Sequence, residues 1–74
     1  MKNDSFGLRL AKARNKAGYS VAKAAEIVGT SYSHVYSIER NEVQPRIMLA
    51  KKLARLYRVS LDWLVDMYGE GGDE

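Results

Sequence analysis

Three residues, Gly29-Thr30-Ser31, separate two short segments of apolar periodicity, and this spacing leaves the chain few ways to fold. Before the turn, Val21, Ala24, Ala25 and Val28 follow the i, i+3, i+4, i+7 pattern of a buried helical face, with Ser20 placed to cap its start. After it, Ser31 is a second N-cap and Val35 and Ile38 are the inward positions of the next helix. A helix of barely two turns, ended by glycine and followed so soon by another, must cross its successor at a steep angle. Such a crossing needs a small residue at closest approach, and Ala25 offers only a methyl there.

The flanking segments repeat the helical period. Phe6, Leu10, Ala13 and Ala17 recur at i, i+4, i+7 and i+11, with Gly18 as a left-handed terminator. Asn41 to Pro45 reads as a loop, because asparagine tolerates the left-handed region and proline disfavours a helical residue before it, so a fourth helix is expected from about Arg46. Its stripe is Ala50, Leu53, Ala54 and Tyr57, and Ser60 then caps a fifth helix carrying Leu61, Leu64, Val65 and Tyr68. No stretch alternates as a strand does, so the fold class is all-α with five helices: one domain over residues 1–68 and a flexible acidic tail over 69–74.

A chain of 74 residues holds one small core of marginal stability, which a second subunit would reinforce. It has no cysteine and a single histidine, His34, so neither disulfides nor a metal site is expected. With no Gly-rich phosphate loop and no set of nucleophile and base at arguable spacing, neither enzymatic activity nor a cofactor is expected. The start, Met1-Lys2-Asn3-Asp4-Ser5, lacks an apolar stretch and no run is long enough to span a bilayer, so a soluble, cytoplasmic protein without a membrane partner is expected.

Charge is distributed unevenly. All 12 Lys and Arg lie between Met1 and Arg58 against four acids, a balance of +8, and the remaining residues carry only acids. A basic body of this kind suits a polyanion on one face, although charge alone also fits an ordinary solvated surface.

The segments Gly7-Leu8-Arg9-Leu10, Ala25-Glu26-Ile27-Val28-Gly29-Thr30-Ser31, Val35-Tyr36-Ser37-Ile38-Glu39-Arg40, Pro45 and Val59-Ser60-Leu61-Asp62-Trp63-Leu64 together resemble the Cro/C1-type (XRE-like) helix-turn-helix domains of phage repressors and small bacterial regulators. The resemblance spans about Phe6 to Val65 and places the helix-turn-helix at about 21–40. It implies double-stranded DNA as partner, a recognition helix from about Tyr32 to Arg40, and a homodimer on a pseudo-palindromic operator. A repressor is the expected role. The alternative is an antitoxin-like or adaptor module that keeps the fold but serves a regulatory protein partner. Two departures are visible: Val21 stands where the family often has a DNA-contacting glutamine, and Asn41 replaces a common glycine.

With Val35 and Ile38 facing inward, Ser33, Ser37 and Arg40 point outward and Tyr36 and His34 lie at the edges of that face. Base contacts are therefore expected from Tyr32, Ser33, Tyr36 and Ser37, and backbone contacts from Lys23, Arg40, Asn41, Gln44 and Arg46, aided by the amides opening the second helix. The two tyrosines can press on thymine methyls, reach phosphates with their hydroxyls, or shield the edge of the core. The resemblance also implies a pairing of Arg14 with Glu39, in keeping with a half-inward carboxylate that needs a cation to offset its desolvation. Trp63, Leu64, Met67 and Tyr68 gather more apolar surface than a short helix can bury and are the expected dimer interface, the competing reading being that Trp63 merely covers the first and fourth helices.

Overall fold

A computed structural model describes residues 5–65. Four helices, α1 (Phe6–Ala17), α2 (Val21–Val28), α3 (Tyr32–Glu39) and α4 (Ile47–Tyr57), are followed by helical residues 61–65, here α5. No strand occurs among the described residues. The boundary expected at residue 68, the tail 69–74, and Met67 and Tyr68 lie outside them.

Serine starts four of these helices by one device. Ser5, Ser20 and Ser31 sit in extended backbone, and their hydroxyls accept the N–H groups of Leu8, Lys23 and His34 at 3.0–3.1 Å. Each such cap contributes about 1 kcal/mol. Ser60 does the same for α5, accepting the N–H of Trp63 at 2.9 Å. Gly29, at φ 82°, ends α2 in a left-handed turn that lets the Thr30 N–H reach back to the Ala25 carbonyl at 2.9 Å.

Among the described residues the largest wholly enclosed side chains are Leu10 of α1, Val35 and Ile38 of α3, Leu53 of α4 and Leu64 of α5. The core is thus a meeting of α1, α3, α4 and α5, with Ala24 and Val28 of α2 packed in from the side. Three expectations change. Ala17 is exposed, so the α1 stripe stops at Ala13, and Val21 is only half-buried. Leu64 has no exposed surface and is a core residue, not an interface residue.

The expected stripe of α1 also omitted Gly7, which is buried. A Cβ on it would lie 2.6 Å from the Glu39 carbonyl oxygen, 2.7 Å from that of Ile38 and 2.8 Å from Asn41 Oδ1. The glycine therefore lets the start of α1 seat directly on the C-terminal end of α3, setting the position of the helix after the turn.

Candidate nucleic-acid interface

Position on α3 follows from what anchors it. Val35 and Ile38 hold its inner side in the core, and Arg14 grips its last residue: Nε donates to Glu39 Oε2 at 2.7 Å and Nη2 to Oε1 at 3.1 Å. This two-bond geometry is the strong form of an arginine–carboxylate contact. Arg14 Nη1 also donates to the Tyr19 carbonyl at 2.8 Å, so one guanidinium joins α1, the α1–α2 connection and α3. Both side chains of the pair are largely buried, at 12% and 8% exposure, and the hydrogen bond to Glu39 raises the arginine's pKa against the opposing effect of burial.

The outer side of α3 is aromatic. Tyr32 and Tyr36 are 54% and 44% exposed, and their rings stack at a centroid distance of 5.9 Å and an interplanar angle of 14°. Arg40 continues this ridge, its guanidinium 5.5 Å from the Tyr36 ring centroid and its Nε donating to Glu42 Oε2 at 3.0 Å. Ser33 is exposed beside the ridge, whereas Ser37 is half-buried. The pairing of Arg40 with Glu42 was not anticipated, and the two-residue spacing across a helix end gives no periodic signal for it.

His34, Gln44 and Arg46 border one groove with Thr30 and Lys52, so the turn, α3 and the start of α4 share a polar rim. Gln44 and Arg46 are exposed there and His34 is half-buried. Lys23 stands exposed on the first turn of α2, its Nζ 3.7 Å from Glu26 Oε1. Asn41 is placed differently from the other expected backbone contacts. Its Oδ1 accepts the Gly7 N–H at 3.0 Å and its Nδ2 donates to Ser5 Oγ at 2.7 Å, so the side chain is committed to the N-terminus of α1.

At the far end, Trp63 is 41% exposed and lies against Arg9, whose guanidinium is 5.0 Å from the ring centroid and donates to the Trp63 carbonyl. No helix among the described residues is long and apolar enough to cross a membrane.

A short α2, a glycine turn and a firmly anchored α3 with an exposed outer face compose a helix-turn-helix, and the helix-turn-helix family profile matches residues 10–64. The chain belongs to the Cro/C1-type helix-turn-helix family. It carries that family's helix-turn-helix domain. Curated members similar to it include the HTH-type transcriptional regulator ImmR of Bacillus subtilis (strain 168), 39% identical over 61 residues that cover 82% of this chain and 48% of that protein. The HTH-type transcriptional regulator PuuR of Escherichia coli (strain K12) is 38% identical over 55 residues, 74% of this chain and 30% of PuuR. The chain therefore spans about half, or less, of the length of these family members. Among solved structures, the SinR protein/SinI protein complex contains a similar chain, with a TM-score of 0.79 and 34% identity over 89% of this chain and 65% of that one.

Proposed function

We propose that this helix-turn-helix protein acts as a sequence-specific repressor, placing α3 in the major groove of a pseudo-palindromic operator as a homodimer. The observation that carries this reading is the anchoring of α3: Val35, Ile38 and the Arg14–Glu39 pair fix its inner side while Tyr32, Ser33 and Tyr36 stay exposed. Helix N-terminal residues reach base edges in this docking mode, so Tyr32, Ser33 and Tyr36 are the proposed base contacts, with Ser37 at the margin. Lys23, Arg40, Gln44 and Arg46 take the phosphates that set register and orientation. The homologous regulators support a DNA target without specifying it.

Dimerisation is proposed through the α5 end. Trp63 is exposed there, and an apolar hollow lined by Phe6, Pro45, Ile47, Ala50, Leu61 and Val65 opens beside the same helix, with Ile47 61% exposed. A dimer would set two copies of α3 about 34 Å apart, one turn of DNA.

The likeness to a chain of the SinR protein/SinI protein complex favours a second reading, in which this fold meets a regulatory protein instead of, or besides, DNA. Titration of a fluorescent duplex at several salt concentrations separates the two. Phosphate neutralisation predicts a steep log-linear loss of affinity with salt, whereas absence of binding at low salt would favour the protein partner.

A further inference from the structure

We propose that the Tyr32–Tyr36 ridge reads thymine C5-methyl groups, so that this chain takes its sequence information chiefly from apolar contact. The inference rests on the proposed docking of α3 in the major groove. It follows from which side chains that face offers. The strong direct-readout pairs are arginine or lysine on guanine and asparagine or glutamine on adenine. The exposed face of α3 has no amide and no lysine, and its one guanidinium, Arg40, is engaged by Glu42 at 3.0 Å and lies over the Tyr36 ring. Of the serines, which specify bases weakly, only Ser33 is exposed.

What remains, beside the half-buried His34, is two tyrosine rings, and the apolar feature a base edge shows in the major groove is the thymine methyl. The rings are also preorganised. Stacked at 5.9 Å and 14°, with the Arg40 guanidinium 5.5 Å from the Tyr36 ring centroid, they lose little freedom on binding. Their separation is just under two base-pair rises of about 3.4 Å, so the ridge fits two thymines one or two steps apart within a half-site.

The test begins by selecting tight-binding fragments from random duplex DNA, then resynthesising a selected half-site with deoxyuridine for thymidine, which removes only the methyl groups. Wild-type affinity is expected to fall about 3- to 5-fold for each contacted methyl, whereas uracil in the flanks has no effect. The double variant Tyr32→Ser/Tyr36→Ser should bind the thymine and uracil duplexes equally. The double variant Tyr32→Phe/Tyr36→Phe should keep the preference, because the rings and not the hydroxyls carry it. Equal wild-type binding of both duplexes, discrimination that survives in the serine variant, or its loss in the phenylalanine variant would each overturn the proposal. Failure to bind any duplex at low salt would instead remove the DNA-docking reading on which it stands.

Discussion

Asn41, in the left-handed region at φ 63° just past α3, accepts the backbone N–H of Gly7 at 3.0 Å. A side chain expected to face DNA is thereby turned toward α1, where it joins two helix ends that are distant in sequence. Together with Gly7 it decides how closely α1 and α3 approach.

Substitutions at this junction should therefore act on stability. Asn41→Ala loses both side-chain hydrogen bonds and keeps a left-handed backbone, an expected cost of about 2–3 kcal/mol. Asn41→Gly relieves the backbone and should cost only about 1 kcal/mol. Gly7→Ala should destabilise by at least about 2 kcal/mol, because contact with two backbone carbonyls outweighs the gain of about 1 kcal/mol in helix propensity. Urea unfolding checks all three; an alanine at position 7 as stable as glycine would contradict the close approach.

The Arg14–Glu39 pair is the second clamp. Arg14→Ala leaves a largely buried carboxylate without its partner and should cost about 3 kcal/mol. Replacing both residues with methionine should recover part of that loss, since no unpaired charge remains although the bond from Arg14 to the Tyr19 carbonyl is given up. Thermal melting of the two variants distinguishes a pair that stabilises from charges that act independently, for which the double variant would be no better than the single one.

Tyr57 gives the fold an alkaline limit. Its hydroxyl is buried without a hydrogen-bond partner among the described residues, and burial, with the nearby Glu39 carboxylate, pushes its pKa from 10.0 up to about 12. A raised folded-state pKa favours the neutral phenol, so this contribution is intact below pH 10 and is lost as pH rises toward 12. Tyr57→Phe should flatten that limb and leave neutral-pH stability unchanged or raised by up to about 1 kcal/mol. Melting temperatures across the alkaline range provide the check, and an identical slope in the variant would show that another group is responsible.

Arg46 is exposed at the groove rim and is expected to meet a phosphate. Arg46→Ala should weaken binding to all duplexes alike and reduce the salt slope by about 1. A loss confined to one sequence would instead make Arg46 a base-reading residue.

Trp63→Ala and Ile47→Glu test the proposed subunit contact. Sedimentation equilibrium should show a dissociation constant raised about 10-fold or more, equivalent to about 1.4 kcal/mol per decade. Unchanged self-association in both variants would remove the α5 end from consideration.

The order of helices, the serine caps of α2, α3 and α5 and the helix-turn-helix itself were legible in the chain, because they depend on local periodicity and on residues that bond within a few positions. Val35, Ile38, Ala50, Leu53, Ala54 and Tyr57 are all buried as their spacing implied. Tertiary structure decided the rest. Whether Leu64 faces a partner or the core and whether Asn41 turns outward or toward Gly7 depend on which helix ends meet in space. Periodicity assigns a residue to one side of its own helix but is blind to what is packed against that side, and these roles are set by that packing.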